Sequence, residues 1–274
     1  MKQDAWPISA PPFNYFTWPE NLSVGLVLDG VAIPKAGEQI YQWASGKPFH
    51  AECLYAATRW DAISELSPWL VWLNGPGDPV LEGFLEQGPL LEHGYFLVSG
   101  TGRTTATRWL QSHLQIEMAP GYEELVRIAH PALAGKVIGG NLSHFPSGVV
   151  DQLIIPDRIS EQWHLLEPLA IQSSSSADQV EKMVASPELR DAFDGFNRRK
   201  DALQLWNSLD EPVRQQLGGA QLRDAYPTLR KILDDALGCG CGSLREVMQF
   251  LFASLPKRAN TDNSPEQAFP LDQG

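Results

Sequence analysis

Between Gly94 and Gly139 the chain packs strand, helix, hairpin and helix into one short span, and this stretch constrains the fold most. Gly94 to Ser99 reads as an apolar strand, Tyr-Phe-Leu-Val, bounded on both sides by glycine. Gly100-Thr101-Gly102 breaks it, and Thr104 or Thr105 is expected to cap a helix with Ala106, Trp109, Leu110 and His113 on one face. A second strand, around Gln115 to Met118, meets the Pro120-Gly121 turn, and a third follows from Glu124 to Ala129. Pro131 suits the first position of the next helix, where a missing N–H costs nothing.

The alternation continues on both sides. Ser23 to Asp29, His50 to Tyr55 and Pro68 to Leu73 read as strands, the last too apolar for an uncovered sheet edge. Helices are expected over Pro34 to Ala44 and after Asp78-Pro79, a capping residue followed by proline. Val149 to Ile155 and Trp163 to Leu169 add two strands. The first 21 residues hold five aromatics among four prolines, so they form an arm that lies on the domain or on a partner. The class is α/β (α+β), a mixed sheet with helices packed on it, over residues 1–171.

Beyond a serine-rich hinge at 172–177 the pattern turns helical through residue 258, ahead of a polar, frayed tail at 259–274. Ser176 or Asp178 is expected to cap a short helix through Val180, Met183 and Val184. Ser186-Pro187-Glu188 starts a longer one, Glu211-Pro212 another, and the helix over Leu222 to Leu237 is expected to kink or split at Pro227. Leu244 to Leu255 closes this all-α lobe.

Charge follows the same division. Residues 1–177 carry 18 acidic and 9 basic side chains, whereas 178–258 carry 12 of each, within a net charge of −12. That balance disfavours nucleic acid, whose phosphates need a basic face. No run approaches the roughly 18 apolar residues of a membrane helix, so no membrane insertion is expected. The first residues lack the apolar core of a signal peptide, and three cysteines make no disulfide framework, which together suit a cytoplasmic protein.

Chemistry-bearing motifs are sparse. There is no Gly-x-Ser-x-Gly elbow and no His-Glu-x-x-His pair, and Cys53, Cys239 and Cys241 cannot complete a cysteine-rich zinc site. No catalytic residue, metal or cofactor is therefore expected. The alternative, a nucleotide- or small-ligand-binding enzyme, would use the Gly100–Thr105 turn as a phosphate cradle together with Asp29 at a strand end. Each has an ordinary reading as a turn. Arg127, amid apolar neighbours, needs a partner or a wet strand face.

The order of elements resembles a known family. Leu28-Asp29-Gly30, Leu54-Tyr55, Ser67-Pro68-Trp-Leu-Val-Trp-Leu73, Phe96-Leu-Val-Ser99, Trp109 to Leu114 and Leu125-Val-Arg127-Ile-Ala-His-Pro131 are similar to motifs of the adaptor-chaperone family (Tap, or Tec) of bacterial type VI secretion. The similarity covers about residues 22 to 170. It marks Asp29, Arg127 and Pro131 as structural signature residues. Where the family has Phe-Tyr-Asp before the proline, this chain has Ile128-Ala129-His130. The resemblance implies a non-catalytic cytoplasmic protein that binds the N-terminal region of a toxic effector and loads it onto the VgrG spike or its PAAR tip. Phe193, Phe196, Trp206, Tyr226, Phe250 and Phe252 are the candidate partner-binding residues. An immunity protein that neutralises a toxin is a further alternative.

Overall fold

The computed structural model describes residues 4–14, 17–140, 149–167 and 183–255. Its largest element is a seven-stranded sheet built from β1 (Asp4–Pro7), β2 (Ser23–Leu28), β3 (His50–Cys53), β4 (Trp69–Trp72), β5 (Gly94–Ser99), β8 (Gln152–Asp157) and β9 (Gln162–Leu166). Their spatial order is β1-β9-β8-β5-β2-β4-β3. Every neighbouring pair is antiparallel. The mixed sheet expected from the strand–helix alternation is thus corrected.

The reason lies in how two crossovers interleave. Helix α1 (Ala36–Ala44) joins β2 to β3, and α2 (Pro79–Gln87) joins β4 to β5. Each helix connects strands that run the same way, as a crossover should. But β4 inserts between β2 and β3, and β2 inserts between β4 and β5. Two parallel-type connections therefore yield antiparallel neighbours.

Both faces of the sheet are covered, which explains near-continuous apolar strands in an antiparallel sheet. Along β5, Phe96 and Val98 face a core shared with α1 and α2, where Ile40, Val80 and Phe84 are buried. Tyr95 and Leu97 face the opposite core, with α3 (Arg103–Ser112) and α4 (Pro131–Val137) contributing Trp109, Leu110, Leu133 and Val137. The proline- and aromatic-rich arm lies on its own domain: β1 pairs with β9, Trp6 is buried, and Phe13 meets Phe96 with ring centroids 5.3 Å apart.

A three-stranded sheet of order β10-β6-β7 comprises β6 (Gln115–Ala119), β7 (Tyr122–Leu125) and β10 (Met183–Val184). Met183 and Val184 are here strand, parallel to Ile116 and Glu117, not the helix expected. Buried Met183 faces the core and exposed Val184 points away, the period-two pattern of a strand. The rest of that expected helix, and the hinge at 172–177, lie outside the described residues, as does the tail at 259–274. β7 stops at Leu125, short of the expected Ala129, because the backbone leaves the ladder to aim Arg127 at Asp29. α3 is capped by Gly102, with no side-chain cap, in place of Thr104 or Thr105.

The chain divides into two compact units, Met1–Lys200 and Asp201–Gly274, and the division falls inside helix α5 (Pro187–Ser208). In the first unit α5 contributes Leu189 and Phe196 to the core. The second is wholly helical where described: the end of α5, α6 (Glu211–Gln216), α7 (Leu222–Gly238) and α8 (Leu244–Ser254) enclose Leu205, Trp206, Leu229, Leu233 and Leu251. α7 runs through Pro227 as one helix rather than splitting. Pro227 is exposed, so the carbonyl it leaves without a donor can reach water.

Candidate functional site

The signature residues meet at the C-terminal end of β2. Asp29 is buried, and its Oδ1 accepts a hydrogen bond from the Val31 N–H at 3.0 Å. Its Oδ2 accepts one from Arg127 Nε at 2.8 Å. The two most conspicuous polar residues of the sequence are therefore each other's partner. Burial pushes the Asp29 carboxyl above its usual range, against the pull of the Arg127 charge and the Val31 N–H. Gly30 completes the motif by close approach: a Cβ there would strike the carbonyl of Ser67. Asp29-Gly30 is thus an Asx-type turn clamped by an arginine 98 residues away.

Beside this pair lies a second, deeper cluster. Glu92 ends the turn that follows α2, in the left-handed region at φ 55°, a conformation that costs a non-glycine residue about 1 kcal/mol or more. There it receives both terminal nitrogens of Arg199, with Nη1 donating to Oε2 at 2.8 Å. Arg199 Nη2 also donates to Asp157 Oδ1 at 2.7 Å. Glu92 and Arg199 are both buried. The forked, charge-assisted pairing is strong enough to hold the strained turn and to fix the first half of α5 on the sheet. Asp157 is pushed up by burial, but hydrogen bonds from Ser160 and Arg199 outweigh this and hold it below its usual range.

His130 stands between the two clusters and takes over a capping role. It is the N-cap of α4, and Nδ1 accepts a hydrogen bond from the Ala132 N–H at 3.3 Å. An aspartate in the same place would cap with its carboxylate. The ring packs edge-on against Phe196, with centroids 4.8 Å apart, and Nε2 is 3.9 Å from Glu92 Oε2, beyond hydrogen-bond reach. Burial, then the charges of Arg127 and Arg199, lowers its pKa to about 3, so the imidazole is neutral. Pro131, the remaining signature residue, opens α4 as expected.

The Gly100–Thr105 turn lies elsewhere. Leu28 is opposite Gly94 and Ser23 is opposite Ser99, so Asp29 and Gly100 emerge from opposite ends of the sheet. Six strand residues separate them by roughly 20 Å. The Gly100 N–H is taken by the Asp151 carboxylate, and the Thr101 N–H by Ser99 Oγ at 3.2 Å. A phosphate would have to displace a carboxylate there. The structure does not bring the two halves of the enzyme alternative together.

The six candidate partner-binding aromatics are placed as follows. Phe193 and Phe196 pack on the core beneath α4, and Trp206, Tyr226 and Phe250 pack in the helical unit. The Arg214 guanidinium lies 4.8 Å over the Trp206 ring. Phe252 alone of the six is largely exposed. Among the described residues no three His, Cys, Asp or Glu side chains group as metal ligands, and no helix is long and apolar enough to cross a membrane.

Glu92, Asp157 and Arg199 were not among the residues singled out from the sequence. For Arg199 a signal existed: it continues the helical spacing Leu189, Ala192, Phe196 on the buried stripe of α5. Glu92, set by a left-handed turn, gave none.

These features coincide with a family match. Residues 26–139 match the model of a domain of unknown function, DUF4123, known as the domain of the type VI secretion effector adaptor (Tap/Tec) family. The match runs from within β2 past the end of α4, and so contains Asp29, Gly30, Arg127 and Pro131. Comparison with curated proteins and with solved structures gave no match.

Proposed function

We propose that the protein is a non-catalytic adaptor that binds a type VI secretion effector in the cytoplasm, by the effector's N-terminal region, and delivers it to the VgrG spike or its PAAR tip. The observation that carries this reading is the family match over residues 26–139. The architecture at that segment supports it: the residues that mark the family serve as scaffold. Asp29 and Arg127 satisfy each other, Pro131 starts a helix, and His130 caps it as a neutral base. None is left exposed and activated, as a nucleophile or general base would be. Phe252 is the exposed member of the aromatic set and the first of them to test for contact with the effector.

The test is co-expression with the effector encoded beside the gene. A stable complex and a gain in soluble effector are expected. Absence of both would overturn the reading, and stabilisation by a nucleotide in their place would favour a ligand-binding enzyme.

A further inference from the structure

Asp29, Glu92 and Asp157 at the strand ends are each engaged with an arginine, whereas a cavity between α1 and α2 is lined by polar groups of a different kind. It has a volume of about 330 Å³ and is entered from solvent. Its apolar wall includes Trp43 and Ile33, and its polar wall includes Gln39, Glu86, Gln87 and His93. The wall is set by a missing side chain. Gly83 on α2 lies flat against the Trp43 indole, and any Cβ there would strike the ring. The two helices can therefore approach with the tryptophan packed between them, and Trp43 also lines the cavity.

Four polar side chains converge on this space without commitment. Among the described residues, Gln39, Glu86, Gln87 and His93 make no side-chain hydrogen bond or ion pair. Elsewhere in the unit, carboxylates are heavily used: Asp29, Asp78, Glu92, Asp151 and Asp157 each accept at least one bond. Each of the four can accept a hydrogen bond. His93 does so as a neutral ring, since burial lowers its pKa. No lysine or arginine lines the cavity, so its only fixed charge is the Glu86 carboxylate.

We propose that this cavity takes the guanidinium of an arginine presented by a partner polypeptide. The choice follows from complementarity. An indole face, one carboxylate and several neutral acceptors match a planar cation with five donors better than they match an anion or an apolar chain. The surplus of acidic over basic residues across positions 1–177 attracts such a segment at longer range. The inference deepens the adaptor reading, and rests on it, by naming a contact through which an effector is gripped.

The probe is Nα-acetyl-arginine amide, added to the full chain while the Trp43 indole N–H resonance is followed; Trp43→Phe identifies that resonance. The expected result is a saturable shift with the arginine amide, none with the neutral citrulline amide, and affinity lower by about tenfold in Glu86→Gln, the loss of one charge-assisted hydrogen bond. The same variant weakens the effector complex by a similar factor. The inference is overturned if the arginine amide leaves Trp43 unmoved, if citrulline acts equally, or if Glu86→Gln changes neither affinity. A complex that forms although arginine does not bind would sink the pocket and leave the adaptor reading standing. Arginine binding without any complex would do the reverse.

Discussion

The sheet unit and the helical unit are fastened by different kinds of contact. In the first, polar groups far apart in sequence find each other: Arg127 reaches Asp29 across 98 positions, and Arg199 reaches Glu92 across 107 and Asp157 across 42. In the second, the helix caps among the described residues are local contacts. Asp210 caps α6 through the Val213 N–H at 3.1 Å, and Ser243 and Glu246 form a capping box at the start of α8. A unit built on long-range buried charges tolerates the loss of one partner badly, because the other stays buried and unpaired. A unit built on caps loses only a helix turn at a time. The helical unit thus rests on its buried core and its local caps, whereas the sheet unit also holds buried charges in fixed pairs.

Arg199→Ala is expected to have the largest effect. It strands Glu92 and takes one partner from Asp157, and breaking a buried pair in this way costs about 3–5 kcal/mol. Hydrogen exchange should quicken at residues 187–199 and around Glu92, while amides of α7 and α8 keep their protection. Uniform exchange across both units would break the contrast.

The next effect is set by pH. His130 and His113 are both held near a pKa of about 3, mainly by burial, against 6.5 in the unfolded chain. Below pH 6.5 the unfolded chain takes up protons that the folded chain refuses. The stability owed to each neutral ring is complete above pH 6.5 and drains away as pH falls from there toward 3. At pH 5 the loss is about 2 kcal/mol for each histidine. His130→Asn keeps a side-chain oxygen for the cap and cannot titrate. Its urea midpoint should depend less on pH between 6.5 and 5 than that of the native chain, with the shares of His113 and of the half-buried His93 left. An unchanged slope would mean that His130 is not buried as a neutral cap.

This contrast also decides what could be read in advance. Most helix starts were legible: Asp78-Pro79, Ser186-Pro187-Glu188, Glu211-Pro212 and Pro131 mark them where the structure has them, because a cap is written within four residues, whereas at α3 Gly102 stands in place of Thr104 or Thr105. The central strands β2, β4, β5 and β8 were legible from their apolar runs, but not their directions, since an inserted neighbour leaves no local trace; β1, within the proline-rich arm, was not legible as a strand. The need of Arg127 for a partner could be read, and Asp29 could be marked for inspection, but their pairing is a property of topology. Glu92 was invisible because a left-handed glutamate has no composition cue. Met183 was misread as helical because only a strand 67 residues earlier, at Ile116, makes it one.

The smallest effect tests the local side of the contrast. In Ser243→Ala the hydroxyl that accepts from the Glu246 N–H at 3.3 Å is lost, leaving one amide of the first turn of α8 to water. The site is exposed, so solvent replaces much of what is removed, and a cost of about 1 kcal/mol is expected. Because the cap serves one helix, exchange should rise at Leu244 to Val247 alone, with β2, β5 and the Asp29–Arg127 pair unaffected. Ser243→Thr should recover the loss, since its hydroxyl accepts the same bond from the Glu246 N–H and donates to the Glu246 carboxylate as serine does. Spread of the effect into the sheet unit would show that the capped helices are not fastened locally, and the contrast between the units would fail.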